Sequence, residues 1–319
     1  MKICFFGVGG VGGYFGALVS NKFKNEHEVY FIARGSHKDA ICSNGLTLKK
    51  AGGEEIISIV PKLCTDTTEN LPICDIIVLS VKGYDLEKAT KDIAKIANEN
   101  TIILPLLNGV DIYERIRKHL NIGVVLPSCV YVGTHIESPG IIYQKGGSCK
   151  ISIGRDPMFP EFYPEQLLDI LMESDIDYSW EDDVYVSIWS KYMFVAAFGL
   201  VTATYSKTIG EILADSELSK LTKSVMAEIE KITKKLEIPL SSDIVEKSFN
   251  KAKQFPFETK TSFQRDVEIK GKKNEFDLFG ETLIRLGKKL NIQAPQTRYI
   301  YEKFLETSKE KTGSSTTCL

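Results

Sequence analysis

Short apolar runs alternate with amphipathic stretches over the first half of the chain. The runs predict strands at residues 2–6, 28–33, 56–60, 76–81, 101–106, 124–130, 141–144 and 150–154. Helical spacing lies between several of them, notably at 86–98, where Leu86, Ala89 and Ile93 share one face, and at 111–119. Such alternation is typical of a mostly parallel sheet with helices on both faces.

The pattern changes after residue 181, where the remaining segments have helical spacing. We therefore expect two domains, residues 1–181 and 182–319. The predicted fold class is α/β, with an N-terminal Rossmann-type doubly wound sheet followed by an all-α C-terminal domain. The last short strands of the first domain lie among glycine-rich turns and are expected to be antiparallel.

A glycine motif directly follows the first predicted strand, and an apolar helical segment follows the motif. Gly7 permits a tight turn, Gly9 lets the backbone approach a pyrophosphate, and Gly12 lets helix and strand pack closely. The helix N-terminus offers N–H groups and a positive dipole to an anion. This context favours a dinucleotide site over a purely structural turn. The predicted cofactor loop is Gly7, Val8, Gly9, Gly10, Val11 and Gly12.

The end of the second predicted strand distinguishes between the two nicotinamide cofactors. A site for NAD usually has an acidic residue here, which holds the ribose 2′-hydroxyl. This chain has Arg34 instead, followed by Ser36, His37 and Lys38. A guanidinium suits a 2′-phosphate, so the sequence predicts NADPH, and the alternative is that Arg34 is an ordinary loop cation.

Two further polar residues follow predicted strands. Lys82 comes after the strand that begins at Ile76, and Asn108 comes after the strand that begins at Ile102 and is expected to open the next helix. Ligands of open α/β sheets bind outside the carboxyl ends of the strands. Both side chains are therefore candidates for the nicotinamide side of the site, although such residues are more often plain loop residues.

Composition narrows the classes of partner and compartment. The 319 residues are 43% hydrophobic and 26% charged, and the net charge is −2. This charge gives no electrostatic basis for binding nucleic acid or an anionic membrane. The seven cysteines form no C-x-x-C pair, which is typical of reduced thiols in a cytosolic protein. Since the first strand begins at residue 2, we expect no cleavable leader and a cytoplasmic location.

One long apolar stretch, residues 184–205, carries a single charge, Lys191. A membrane span is conceivable from its length, but the lysine and the polar Ser187, Ser190 and Thr202 favour a core helix. An ammonium group in an apolar helix needs a partner or loses its charge. Lys191 therefore either reaches solvent along its apolar stem or is a catalytic acid tuned by burial and a carboxylate.

A candidate carboxylate lies further along the chain. The segment from Thr261 to Gln264 predicts a capping box, and a second helix start at 274–277 places Glu275 in a first helical turn. Acidic residues favour helix N-termini for electrostatic reasons alone, so Glu275 also has a structural interpretation. Ser262 has the same alternative, as a capping residue.

Taken together, these motifs resemble the ketopantoate reductases (2-dehydropantoate 2-reductases). The resemblance covers nearly the whole chain, and the order of the motifs makes it specific. It is carried by Gly7-x-Gly9-x-x-Gly12, Ala33-Arg34-Gly35 with Asn44-Gly45-Leu46, Ser80-Val81-Lys82, Leu107-Asn108-Gly109, Trp189-Ser190-Lys191, Ser262-x-x-x-Asp266-Val267 and Asn274-Glu275-Phe276-Asp277.

The resemblance implies reduction of a small 2-oxo acid by NADPH, in a cleft between a Rossmann domain and a helical domain. It implies that Lys191 is the proton donor and that Glu275 orients the substrate or the lysine. Asn108 would hold both nicotinamide and substrate, Lys82 would lie where the two meet, and Ser262 would bind the substrate carboxylate. A homodimer is left open.

The chain departs from the family in two places. Asparagines usually stand four and eight residues after the catalytic lysine, where this chain has Val195 and Gly199. One extra residue also lies between Asp266 and Glu275. The alternatives are a related reductase of another 2-oxo acid, an enzyme of the 6-phosphogluconate or 3-hydroxyacid dehydrogenase type, and a non-catalytic regulator that binds NADPH. Retention of Lys191 and Glu275 argues against the regulator.

Overall fold

The structure is a computed structural model that describes residues 1–52, 56–269 and 271–312. Its contacts divide the chain into two compact units, an N-terminal unit (Met1–Tyr185) and a C-terminal unit (Val186–Leu319). The boundary expected from the sequence, after residue 181, falls a few residues earlier, just before the long helix that begins at Val184.

The strands and helices of the N-terminal unit alternate as the apolar pattern indicates. The strands are β1 (Lys2–Phe6), β2 (Glu28–Ile32), β3 (Leu46–Lys50), β4 (Ile56–Ile59), β5 (Leu63–Thr65), β6 (Ile76–Leu79), β7 (Ile102–Pro105), β8 (Val124–Val125), β9 (Ser128–Tyr131), β10 (Thr134–Ser138), β11 (Ile141–Gln144), β12 (Lys150–Gly154) and β13 (Tyr178–Glu181). The helices are α1 (Gly10–Lys22), α2 (Gly35–Asn44), α3 (Leu86–Ile93), α4 (Ile112–Arg117) and α5 (Glu165–Glu173).

The main sheet has six parallel strands in the order β5-β2-β1-β6-β7-β8. Numbered along the chain within this sheet, the order is 3-2-1-4-5-6, the doubly wound order of dinucleotide-binding domains. The order reverses between the central strands β1 and β6, and the crevice outside their carboxyl ends is the topological switch point. Central strands such as β6 are buried at every residue because helices cover both faces. The predicted fold class is confirmed.

Two smaller sheets complete the N-terminal unit, in the orders β10-β11-β3-β4 and β13-β12-β9. They contain antiparallel pairs, as expected, but β11–β3 and β12–β13 are parallel. The single strand predicted at 124–130 is wrong: Pro127 lacks an N–H group and separates β8, in the main sheet, from β9, in the third sheet. The helix predicted at 86–98 ends at Ile93.

The described part of the C-terminal unit is helical. Its helices are α6 (Val184–Tyr205, whose first two residues belong to the N-terminal unit), α7 (Ile209–Ala214), α8 (Ser216–Lys235), α9 (Ile244–Lys251), α10 (Ser262–Glu268), α11 (Thr282–Leu290) and α12 (Pro295–Thr312). Helix α6 is long and apolar enough to cross a membrane, but 61% of its most apolar window is buried. A buried core helix passes the same test, so this is weak evidence for a span.

Candidate functional site

The candidate cofactor residues of the N-terminal unit lie at one edge of the main sheet. They follow the carboxyl ends of β1, β2, β6 and β7, which are neighbours in the sheet. Because these strands are parallel, their carboxyl ends face the same side of the unit. The sheet therefore brings together the cofactor loop, Arg34, Lys82 and Asn108.

The cofactor loop is shaped by close backbone contacts. Gly7 has a φ of 100°, and a Cβ atom added there would lie 2.9 Å from the Ser80 carbonyl. A Cβ at Gly12 would lie 2.5 Å from the Gly7 oxygen and would collide with the Ser80 hydroxyl. That hydroxyl donates a 3.0 Å hydrogen bond to the Gly7 carbonyl. Gly7 and Gly12 are thus required by packing, and Ser80 shapes the loop.

Gly9 differs from these two glycines because the space above it is open. A Cβ atom added there would meet no atom within 4 Å. Gly9 is also the N-cap of α1, it offers no side-chain cap, and the first turn of α1 contains no acidic residue. The N–H groups of this turn are therefore available to an anion. The residues fit the pyrophosphate of a dinucleotide.

Arg34 stands two residues after β2 and is the N-cap of α2. Its Nη2 lies 2.9 Å from a carboxylate oxygen of Asp85, and its side chain is 58% exposed. An ion pair this exposed adds little stability, so the guanidinium can exchange Asp85 for a phosphate. Sequence reasoning did not identify Asp85. His37, which the sequence places in the basic segment, is instead buried.

Lys82 and Asn108 are both partly buried. Lys82 precedes a 3-10 turn (Gly83–Asp85) that leads into α3. Asn108 precedes Gly109, which has a φ of 132°, and α4 begins only at Ile112. The expectation that Asn108 opens the helix is therefore wrong; it lies in the loop between β7 and α4.

In the C-terminal unit, Lys191 is partly buried on α6. Its neighbour Tyr192 is fully buried, and the Tyr192 hydroxyl donates to the carbonyl of Leu278 at 2.7 Å and lies 3.2 Å from that of Phe279. The segment that carries Glu275 is thereby attached to the helix that carries Lys191. A hydroxyl directly after Lys191, inside an apolar run, is the sequence signal for this link.

Glu275 is 5% exposed. A purely structural role in the first turn of a helix does not predict such burial. The Asn274 side chain accepts the N–H of Phe276, and a short π-helix follows (Asp277–Glu281) before α11 begins. Such π-helical turns are rare and frequently mark functional sites. The simple helix start expected at residue 274 is therefore wrong in detail.

Ser262 is the first residue of α10 and is exposed. The N-cap is Thr261, whose hydroxyl accepts the N–H of Gln264 at 3.1 Å. The structure thus assigns the capping role to Thr261 and leaves the Ser262 hydroxyl for another role. The Thr261 hydroxyl is 2.9 Å from that of Thr202, which attaches the start of α10 to α6.

The two positions that depart from the family differ in their surroundings. Val195 is partly buried, whereas Gly199 is buried and a Cβ atom there would lie 3.7 Å from the Phe263 ring. Phe263 itself is 1% exposed. A Cβ atom at 199 would therefore be in ordinary van der Waals contact with this ring, and an asparagine side chain there would extend from a buried position.

Comparison with known proteins identifies relatives over nearly the whole chain. The family model described as ketopantoate reductase PanE/ApbA matches residues 3–157, and its C-terminal counterpart matches residues 183–306. A 2-dehydropantoate 2-reductase of Aquifex aeolicus is 27% identical over 305 residues, which cover 94% of each protein. A PanE/ApbA family ketopantoate reductase from Ralstonia eutropha JMP134 has a TM-score of 0.87 at 23% identity, covering 98% of this chain and 100% of its own. D-mandelate dehydrogenase, solved with NADH and anilino(oxo)acetate, has a TM-score of 0.84 at 21% identity, with coverages of 98% and 100%. The two structural likenesses show the fold alone.

Proposed function

Because the chain belongs to the PanE/ApbA ketopantoate reductase family, we propose that it reduces 2-dehydropantoate (ketopantoate) to pantoate, in the cytoplasm, as a step of pantothenate and coenzyme A biosynthesis. Membership makes it an NADP-dependent oxidoreductase of 2-oxo acids that uses NADPH. The observation that best supports the proposal is the attachment of the Glu275 segment to the Lys191 helix through Tyr192.

In the proposed reaction the N-terminal unit binds the cofactor and the C-terminal unit supplies the acid. Bound NADPH would supply the hydride for the substrate carbonyl carbon. The Lys191 ammonium stabilises the negative charge that grows on the carbonyl oxygen and donates a proton to that oxygen. Glu275 favours the charged form of Lys191, because an opposite charge nearby counteracts the effect of burial.

The remaining proposed residues bind and orient. The exposed Ser262 hydroxyl donates to the substrate carboxylate, and Asn108 holds nicotinamide and substrate together. Lys82, three residues after β6, lies where the two meet. The first turn of α1 receives the pyrophosphate. A homodimer is part of the proposal, and the sedimentation coefficient of the purified protein tests it.

The direct test of the function is oxidation of NADPH with a panel of 2-oxo acids that includes ketopantoate. Selective turnover of ketopantoate supports the proposal. Preference for another 2-oxo acid would keep the enzyme class and change the substrate. Binding of NADPH without turnover of any panel member would favour a regulator instead.

A related reductase of a different 2-oxo acid is the second candidate, and Val195 and Gly199 favour it. The fold does not select the substrate, since D-mandelate dehydrogenase shares it. Where amide groups are missing, a site discriminates poorly for a hydroxyl group. We therefore expect either a weak KM for ketopantoate or comparable turnover of a less polar 2-oxo acid.

The Val195→Asn variant tests this substrate scope. It should improve kcat/KM for ketopantoate over an analogue without the hydroxyl by about 1 kcal/mol, the contribution of one neutral hydrogen bond. Val195→Leu is the matched control, because leucine is similar in shape to asparagine but has no amide. It should leave the ratio of the two kcat/KM values unchanged. Tight and strongly selective ketopantoate kinetics in the unmodified protein would contradict the expectation.

The Arg34→Ala variant tests cofactor selectivity. We expect NADPH binding to weaken by about 1.5–3 kcal/mol, because a charge-assisted contact with the 2′-phosphate is lost, while NADH binding changes little. Fluorescence titration measures both dissociation constants. Arg155→Ala, which removes an arginine that lies over the Trp180 ring, is the control. Equal weakening of both cofactors would remove Arg34 from the phosphate site.

A further inference from the structure

The β10–β11 hairpin packs against the cofactor loop and the first turns of α1. A Cβ atom added at Gly10 would lie 2.9 Å from the carbonyl of Thr134, the first residue of β10. A Cβ at Gly13 would lie 2.6 Å from the Ile142 side chain of β11. Contacts this close leave no spare room, so a shift of the hairpin changes the space that the loop occupies.

His37 connects the turn of this hairpin to α2. Gly140, in the turn, donates its backbone N–H to Nδ1 of His37 at 3.0 Å. The turn also rests on α2, since a Cβ atom at Gly140 would be 3.2 Å from that of Ala40. The carbonyl of Gly140 accepts the N–H of Thr47, at the start of the neighbouring strand β3. His37 is thus one of the contacts that fix the hairpin.

The His37 ring is neutral in this arrangement. Since Nδ1 accepts a hydrogen bond, the proton of the ring is on Nε2. Burial lowers the pKa of His37, and the neighbouring backbone of Val8, in the cofactor loop, opposes this only in part. Within the described chain, Nε2 has no hydrogen-bond partner of regular geometry. The ring therefore interacts with the hairpin turn through its bond to Gly140 and with the cofactor loop through the backbone of Val8.

We propose that His37 is a positioning residue for the cofactor, which holds the β10–β11 hairpin against α1 and so keeps the loop in the conformation that binds the pyrophosphate. This inference rests on the cofactor site proposed above. Because NADPH and NADH both contain a pyrophosphate, loss of the His37 contact weakens both by a similar factor. That outcome differs from the loss of Arg34, which affects NADPH selectively.

The test compares His37→Leu with His37→Asn in the full chain. Asparagine places its Oδ1 near the position of Nδ1 and can accept the Gly140 N–H, whereas leucine has a similar branched shape and no acceptor. We expect leucine to raise the dissociation constants of both NADPH and NADH about tenfold, and asparagine to stay within about threefold of the unmodified protein. Fluorescence titration without substrate provides the measurement.

Circular dichroism establishes that each variant is folded, and His37→Ala, which also lacks an acceptor, replaces the leucine variant if that one is not. Unchanged cofactor binding in a folded variant without the acceptor overturns the proposal. The proposal is also overturned if the His37→Asn variant binds the cofactors no better than the His37→Leu variant, or if only NADPH binding is weakened. Failure of the reductase proposal is distinguishable, because it appears as normal NADPH binding by the unmodified protein without turnover of any 2-oxo acid.

Discussion

Lys191→Ala is expected to lower kcat at least about 100-fold while leaving the dissociation constant of NADPH nearly unchanged. The ammonium acts only when charge develops on the carbonyl oxygen, so its loss affects the transition state more than the bound ground state. The proposed cofactor residues lie in the N-terminal unit, whereas Lys191 lies in the C-terminal unit. Stopped-flow single turnovers and a separate NADPH titration measure the two effects.

Two further variants separate the roles of this lysine. Lys191→Arg keeps the positive charge, but a guanidinium has too high a pKa to donate a proton, so kcat should stay low. Lys207→Ala removes an exposed lysine that pairs with Glu211 just after α6, and it should leave kcat unchanged. Normal turnover of a folded Lys191→Ala protein would mean that the lysine merely extends to solvent.

Asp156→Ala is expected to destabilise the N-terminal unit by about 3–5 kcal/mol. The Asp156 carboxylate is 1% exposed and pairs with the Arg117 guanidinium, whose side chain is 8% exposed. It also accepts the Tyr113 hydroxyl at 2.7 Å and the backbone N–H of Val125 at 2.7 Å. Removal of the carboxylate leaves a buried charge and buried donors uncompensated, which is why the expected loss is large.

Urea unfolding followed by tryptophan fluorescence can measure this loss in the unit concerned. The chain has two tryptophans, Trp180 and Trp189, and only Trp180 belongs to the N-terminal unit. A Trp189→Phe background therefore reports on that unit. Lys91→Ala is the matched control, because its ion pair with Glu87 is mostly exposed, and it should leave the midpoint unchanged. Equal midpoints for Asp156→Ala and this control would contradict the prediction.

The sequence by itself determined the doubly wound sheet and the position of the glycine turn between β1 and α1. The spacing of apolar residues predicts these elements, because parallel strands that are covered on both faces have continuous apolar runs. The turn at Gly7 is recognisable because it requires glycine. The ends of β1, β11 and β12 agree with the predicted ranges for the same reason. Arg34, Lys82 and Asn108 could be placed at the sheet edge because each follows a recognisable strand.

Only the tertiary structure decided which polar residues form ion pairs and hydrogen bonds with residues far away in the chain. Asp85 pairs with Arg34, and Asp156 with Arg117, although each pair is far apart in sequence. Glu228, in the middle of α8, accepts the N–H groups at the start of α12, a cap that no local pattern indicates.

The same limit explains why the surroundings of the catalytic candidates were missed. The Tyr192 link joins α6 to a segment that follows α10 in the chain, and neither this link nor the burial of Glu275 and the π-helix after it has a local sequence pattern. Local propensity and periodicity report on neighbours within a few residues, whereas a partner for a buried hydrogen-bonding group is chosen by three-dimensional proximity. The sequence therefore determined the scaffold and the candidate residues, and the tertiary structure decided their contacts.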